Sequence, residues 1–210
     1  MVNYIRPIGL LSIISTLSAC GGSSTGGFQP GTTTVSGFDE LVALSEAYED
    51  RFYGAGPNAS EHRIATAAEV PAAGTASFTG YLTIGPPRLA PFMYDRFSAA
   101  AKTTVDVDFD TGNVTSETGR FYNTTDRFDP TGNYGARVGG SVEYTMERFP
   151  GGTDPLFVGE ISGSLYTSDG TEIPINEFIT GAVMGPEADG FRIISTEDLG
   201  MDVQVSALRD

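Results

Sequence analysis

The chain has little of the chemistry on which most enzymes and metalloproteins depend. Its 210 residues include one cysteine, one histidine and no tryptophan. A single cysteine excludes an internal disulfide and any zinc site made of several cysteines. The lone histidine, His62, excludes a multi-histidine metal site, and we expect it to be solvated because its neighbours are polar. Composition therefore predicts a protein that is not an enzyme and has no cofactor and no metal centre.

Basic residues are also scarce. The sequence has 12 Lys and Arg residues against 27 Asp and Glu residues, which gives a formal net charge of −15 at pH 7. A surface of this sign repels phosphate backbones, so we do not expect nucleic acid among the partners. The same charge disfavours a body that lies flat on anionic lipid.

The hydrophobic run at residues 8–17 is short. It has about ten residues, whereas a membrane-spanning helix needs roughly twenty. Its length is typical of the hydrophobic region of a secretory signal peptide. It ends in Leu-Ser-Ala-Cys at positions 17–20, which resembles the lipobox of bacterial lipoproteins: an aliphatic residue, two small residues and then the cysteine. The alternative is an ordinary signal peptide that happens to contain a cysteine.

The lipobox resemblance implies a lipid anchor. In that family the leader, here residues 1–19, is removed and the cysteine, here Cys20, is acylated. Two or three acyl chains hold a protein on a membrane where a single chain does not. Gly21 follows the cysteine, so the aspartate that signals inner-membrane retention is absent and the resemblance implies the outer membrane. Residues 20–35 are rich in Gly, Ser and Thr and are predicted to be a flexible tether.

A helix is predicted from Ser36 to Phe52, within a segment, residues 36–73, that connects the tether to the main body. Residues at three- and four-residue steps form one largely apolar face: Phe38, Leu41, Val42, Ser45, Tyr48 and Phe52. Ser36 followed by Asp39 is typical of a helix N-terminus. The pattern predicts a helix packed against the outside or end of the body, and a lid over a cavity is the alternative.

From Thr75 onward the hydrophobic period changes from 3.6 to 2, which is typical of strands buried on one face. Eight such segments follow with short links: residues 75–84, 103–110, 113–119, 139–149, 156–167, 171–184, 190–196 and 201–208. Residues 74–210 are therefore predicted to form an all-β domain, an eight-stranded antiparallel up-and-down β-barrel, because closure removes exposed strand edges. A two-sheet sandwich is the alternative. Pro174 is predicted to mark a bulge or an edge, and the acidic outward positions do not suit a membrane pore.

The triplet Asp110-Thr111-Gly112 is found in pepsin-like and retroviral aspartic proteases, where two such carboxylates share a proton. This chain has one triplet, so a protease would require a homodimer. The interpretation that we favour is a hairpin turn, because Asp and Gly are common in turns for backbone reasons.

Asp106, Asp108 and Asp110, with Glu117, have part of the spacing of a calcium-binding loop. Such a loop needs glycine at its sixth position, where this chain has Thr111, and helices on both sides. The alternation around these residues instead predicts a strand that points the three aspartates onto one solvent face. Weak calcium binding by that face is a second hypothesis.

Three stretches together resemble the barrel of transferrin-binding protein B and related surface lipoproteins, a family that includes factor H-binding protein. They are GTASFTG at residues 74–80, VDFDTGNVT at 107–115 and GAVMGPEADGF at 181–191. The last departs from the family, which usually has an aromatic pair where this chain has Val183-Met184. The resemblance implies an eight-stranded barrel, display at the cell surface and a binding role. It does not imply transferrin as the ligand, because the receptor's contacts lie in loops that do not align.

We therefore expect an outer-membrane-anchored surface lipoprotein whose barrel binds a ligand or a host or environmental protein, with iron or haem acquisition as one form of that role. Binding is expected in the two longest links, residues 85–101 and 122–136, since loops on a rigid scaffold commonly carry function. Phe92, Met93 and Tyr94 are the predicted contact residues, and the alternative is that they plug one mouth of the barrel. A structural envelope lipoprotein without a specific ligand is the other hypothesis.

Overall fold

The computed structural model describes residues 36–53, 63–86, 97–124, 135–150, 155–167, 169–196 and 200–210. Within them lie one helix, α1 (Ser36–Phe52), and eight strands. The strands are β1 (Thr75–Gly85), β2 (Ala99–Asp108), β3 (Asn113–Asn123), β4 (Arg137–Arg148), β5 (Leu156–Tyr166), β6 (Glu172–Met184), β7 (Gly190–Ser195) and β8 (Asp202–Arg209). Each strand overlaps a segment of predicted alternation, and α1 has the predicted bounds. The all-β assignment with one N-terminal helix is therefore confirmed.

The eight strands close into a barrel. Each pairs antiparallel with the next in the chain, and β8 returns to pair with β1. The seam between the first and last strands runs from the pair Phe78–Arg209 to the pair Gly85–Asp202. In a sandwich the strands would be divided between two separate sheets, whereas here one sheet closes on itself. The up-and-down barrel is therefore confirmed over the sandwich.

Apolar side chains fill the inside of the barrel because each strand alternates. In β1 every second residue from Ala76 to Ile84 is buried. The inward residues of all eight strands belong to one hydrophobic core, whose largest fully buried members include Tyr144, Phe78, Phe121, Phe157, Phe191, Leu82, Ile84, Ile161, Leu165, Ile173 and Ile175. An eight-stranded barrel is just wide enough for side chains to fill it, and the side chains of this core fill the interior.

Two strands, β2 and β3, extend four residues beyond their predicted bounds. β2 begins at Ala99 and not at residue 103, and its first three alanines are all buried. The outward member of the three, Ala100, is covered by α1, so the expected alternation of apolar and polar residues is missing there. β3 continues to Asn123, and Tyr122 is buried against the same helix. The predicted binding links at 85–101 and 122–136 were therefore too long, since both include residues of the barrel wall.

Helix α1 lies against the outer surface of the barrel. The buried residues of this contact are Phe38, Leu41, Tyr48 and Phe52 from the helix and Ala100, Tyr122, Ala182 and Met184 from the wall. The four helix residues belong to the face predicted from the sequence. Packing on the outside is therefore confirmed. No helix in the described ranges is long and apolar enough to cross a membrane.

The C-terminal end of α1 is held on the turn between β6 and β7. The Phe52 ring is fully buried and lies on Gly190, where a Cβ would come within 2.5 Å of the ring atom Cζ. A Cβ on Gly185, which has φ +79°, would lie 3.2 Å from the same ring. Arg51 lies 5.1 Å from the ring centroid and donates from Nε to Asp189 Oδ2 at 2.6 Å. The two glycines therefore make room for the helix, and the ion pair fixes its end.

A hydrogen-bonded polar pair lies inside the barrel. The Tyr144 hydroxyl and Thr103 Oγ1 are 2.9 Å apart and buried. Thr103 Oγ1 donates to the carbonyl of Glu117 at 3.3 Å, so the tyrosine hydroxyl is the donor of the pair. Burial raises the pKa of the Tyr144 phenol above its ordinary value, and the pair stays neutral. Ser116 Oγ in turn donates to the Tyr144 carbonyl at 3.0 Å, bridging β3 and β4 where their register shifts.

The variant Tyr144→Phe keeps the ring and removes the hydroxyl. We expect it to lower the free energy of unfolding by about 1–2 kcal/mol, because the Thr103 oxygen loses a hydrogen bond in a buried place. Chemical denaturation followed by circular dichroism measures the loss. Thr103→Val and the double variant complete a double-mutant cycle. Strictly additive losses would show that the two hydroxyls do not stabilise each other.

Pro174 lies in the half of β6 that pairs with β5 alone. In the described residues β7 pairs with β6 from Ile179 to Met184, whereas β5 pairs with it from Glu172 to Ala182. The Phe178 carbonyl accepts a hydrogen bond from Thr196 N on the side away from β5. Backbone groups alternate in direction, so a residue at position 174 would point its N–H to that same side. A proline there removes no bond from the described ladder.

Candidate binding site

The residues predicted to carry function lie outside the described residues. They are the acylation site Cys20 and the contact residues Phe92, Met93 and Tyr94. His62 falls outside as well. These assignments remain predictions, and the described part of the chain offers a different candidate.

Asp110-Thr111-Gly112 forms the turn between β2 and β3, as the favoured interpretation predicts. Gly112 has φ +78° and donates its N–H to the carbonyl of Asp108 at 2.7 Å. Asp108 Oδ1 accepts from the N–H of Asp110 at 2.9 Å. The Thr111 hydroxyl and N–H beside Asp108 hold the pKa of that carboxyl below its ordinary value. Asp110 Oδ2 accepts from Gly74 N at 2.9 Å, so both carboxylates order the backbone of the turn.

The three aspartates proposed for calcium have separate partners. Asp106 accepts a hydrogen bond from the Ser77 hydroxyl, while Asp108 and Asp110 accept from backbone groups of the turn and of residue 74. Among the described residues no group of three or more His, Cys, Asp and Glu side chains is placed to hold a metal ion. The calcium hypothesis therefore gains no support from the hairpin.

A groove of about 550 Å³ crosses the outer face of β3, β4, β5 and β6. Two rows of residues line the groove. Each row runs across the strands, and each of its residues pairs with the next one on the neighbouring strand. The first row is Thr115, Thr145, Glu160 and Phe178, and the second is Asn113, Glu147 and Val158. The floor is completed by Val114, Met146 and Gly159. We name this surface the β3–β6 groove.

Gly159 lets two strands approach closely beneath the β3–β6 groove. A Cβ on this residue would clash with the carbonyl oxygen of Thr145 and lie 2.7 Å from Met146 Cα. Glycine inside a strand often marks such a close approach or a bend. Any larger residue would push β4 away from β5, so the shape of the groove depends on this position.

The β3–β6 groove is partly apolar. Phe178 is 42% exposed although its ring is large and aromatic. Phe178 is the last residue of a stripe on the outer face of the barrel. The stripe begins under α1 with the pair Leu156 and Ala182, continues through Val158, Thr180 and Ile194, and ends at Phe178. The first two of these residues pack with Phe52 of the helix. The groove therefore continues the apolar surface on which α1 packs, beyond the part that the helix covers.

Two carboxylates supply the charge of the β3–β6 groove. Glu147 lies opposite Val158, and Glu160 lies opposite Phe178. Residues directly opposite in an antiparallel pair have Cβ atoms about 4.5–5.5 Å apart. No Lys or Arg lines the groove, and neither glutamate has an ion pair within the described ranges. The groove thus presents two apolar side chains, each with an uncompensated negative charge beside it.

Phe178 is not among the residues that the sequence predicts to bind, although a signal for it exists. Ile175 and Ile179 occupy the inward phase of β6, which places Phe178 on the outward phase. An aromatic residue in that phase is a candidate contact residue. Its grouping with Glu147 and Glu160 depends on the register of three strands, which the sequence pattern does not provide.

No protein-family model and no curated protein matches the sequence. Among solved structures, the chain is similar to the vaccine antigen transferrin-binding protein B of Haemophilus parasuis Hp5, with 15% identity and a TM-score of 0.40. It is also similar to intact Ap-TbpB with its N and C lobes, with 14% identity and a TM-score of 0.38. Each match covers 70% of this chain but only 27% and 28% of the other chains. The likeness is loose and says nothing about what this chain binds.

Proposed function

We propose that this chain is a lipoprotein tethered to the bacterial outer membrane whose barrel binds a protein partner. The observation that most supports binding is the β3–β6 groove. An exposed aromatic side chain that continues an apolar packing surface is typical of a contact surface. Because the barrel interior is filled by its own side chains, a partner is bound on the outside or at the links. Iron or haem acquisition fits this proposal as contact with a carrier protein.

The proposed tether places the barrel within reach of a partner. The anchor is Cys20, and residues 20–35 separate it from α1. Sixteen residues span at most about 55 Å when fully extended, which sets the upper limit of the reach from the proposed anchor. The net charge of −15 repels the body from anionic lipid and attracts basic partners.

The tether is tested with the full chain, expressed with its own leader in a Gram-negative host. We expect incorporation of a labelled fatty acid and partition into the detergent phase, and both should be lost in Cys20→Ser. Protease added to intact cells should digest the barrel. An unlabelled chain would refute the anchor. Protection of the barrel until the outer membrane is permeabilised would instead favour the structural envelope lipoprotein.

The binding role is tested with the full chain held in detergent micelles as bait for serum or growth-medium proteins. Two variants are compared with the wild type: Phe178→Ala, and the triple substitution of Phe92, Met93 and Tyr94 by alanine. We expect saturable capture of a partner by the wild type. Absence of any saturable partner would refute the binding role. A partner lost only in the triple variant would place the contact in the link between β1 and β2.

A further inference from the structure

We propose that the β3–β6 groove receives a polypeptide segment in which apolar residues alternate with lysine or arginine. This inference rests on the proposed binding function and names the chemistry of the partner. The pattern follows from the order of side chains in the groove. Val158 and Phe178 offer apolar contact, and Glu147 and Glu160 stand directly opposite them on the neighbouring strands.

The apolar half of the proposal follows from continuity with a contact that the fold already uses. Leu156 and Ala182 pack with Phe52 of α1, and Val158 is the next outward residue of β5. Phe178 ends this stripe and is 42% exposed. The wall therefore binds an amphipathic helix along one part of the stripe and leaves the other part open. A partner with apolar side chains would cover the part of the stripe that α1 leaves exposed.

The basic half of the proposal follows from charge. Glu147 and Glu160 line the groove without any Lys or Arg among its ten lining residues. A partner that buries Val158 and Phe178 also removes water from the two carboxylates beside them. Burying a charge is unfavourable unless an opposite charge pairs with it. A segment with Lys or Arg at the matching positions supplies that charge, while an apolar segment without them does not.

Other occupants fit the groove less well. A second copy of the chain brings another net charge of −15, so two such surfaces repel each other. Phosphate groups of lipids or nucleic acids are repelled by the two glutamates. A metal ion would need a cluster of ligands, and the described residues contain none. Addition of a strand to β6 beyond its pairing with β7 is opposed by Pro174, which has no N–H to donate there.

The test selects peptides from a displayed library of random twelve-residue sequences on the full chain in detergent micelles. Individual peptides are then synthesised, and their dissociation constants are measured at low and high salt. We expect enrichment of peptides that combine Lys or Arg with aliphatic or aromatic residues. Their affinity should fall as salt rises, because charge pairs at the rim of a contact are screened.

Two pairs of variants locate the bound peptide. Phe178→Ala is expected to weaken binding about tenfold or more, as for an aromatic anchor at the centre of a contact. Its matched control is Tyr166→Ala, since Tyr166 is 41% exposed on β5 and does not line the groove. The double variant Glu147→Lys with Glu160→Lys should reverse the preference from basic to acidic peptides. The control for its charge is Glu117→Lys with Glu143→Lys, since these exposed glutamates lie outside the lining.

The outcomes separate this inference from the proposed function. Loss in Phe178→Ala and reversal in the double variant, with both controls near wild type, would support the basic segment. Enrichment of acidic or uncharged peptides, or equal binding by Phe178→Ala, would overturn it. If Phe178→Ala still captures a protein partner from serum or medium, the proposed binding function is retained and only the assignment of binding to the β3–β6 groove is refuted. Selection of no saturable peptide would also overturn the inference.

Discussion

Gly80→Ala is expected to lower the free energy of unfolding by about 3 kcal/mol or more, at the upper end of what overpacking costs. Gly80 lies on β1 opposite Ala207 of β8, at the seam that closes the barrel. An added Cβ would clash with the carbonyl oxygen of Ser206 and lie 2.7 Å from the Cβ of Ala207. Neither of these atoms belongs to a side chain that can rotate away, so the two strands must separate. Urea denaturation followed by circular dichroism measures the loss.

The matched control is Gly85→Ala on the same two strands. Gly85 pairs with Asp202, and the nearest atom to an added Cβ is the Asp202 carbonyl oxygen at 4.0 Å. We expect a change within about 0.5 kcal/mol, as for most substitutions that meet no such obstacle. Similar results for the two variants would show that the seam does not pack as tightly as its geometry indicates.

Phe52→Ala is expected to lower the free energy of unfolding by about 3–5 kcal/mol, the usual range for removal of a buried phenylalanine ring. The ring is fully buried. It packs on Gly185 and Gly190, and its centroid lies 4.9 Å from that of Tyr48. The two glycines have no side chains that could move in to fill the space. The cavity therefore stays open, and thermal and urea denaturation measure its effect.

Phe178→Ala is the control, because it makes the same chemical change at a site that is 42% exposed. We expect it to change the free energy of unfolding by less than about 1 kcal/mol. This variant therefore separates loss of binding from loss of folding in the peptide experiment. If Phe52→Ala were no more damaging than Phe178→Ala, the helix would not be an integral part of the folded domain.

The fold could be predicted from local pattern because burial on one face produces a period that is visible in the sequence. Ala76 to Ile84 in β1 and Val142 to Met146 in β4 alternate as expected, and their inward members are buried. The pattern failed where another element covers the outer face. Ala100 and Tyr122 point toward α1 and are buried. Their strands therefore lack the exposed polar residues that would mark the outward face at those positions.

The candidate site could be predicted only in part, because it depends on contacts between distant residues. The outward position of Phe178 follows from alternation alone. Its grouping with Glu147 and Glu160 in one groove does not, since these residues are brought together only once β4, β5 and β6 have found their register. The glycines at 185 and 190 resembled a family motif in the sequence. The physical reason for these glycines is that the Phe52 ring of α1 packs on them. This reason becomes visible only when α1 is placed on the barrel wall.

The seam between β1 and β8 also bears on how the chain folds. Phe78 of β1 pairs with Arg209 of β8, so the sheet cannot close until β8 is available. Seven of the eight pairings join consecutive strands, whereas this one joins the first strand to the last, so the entropy cost of closing a long loop falls on this final pairing. A folding chain in which seven strands have paired and β8 has not therefore has an open sheet with two exposed edges. Deletion of β8 (Asp202–Arg209) would leave both edges of that sheet unpaired and the protein prone to aggregate.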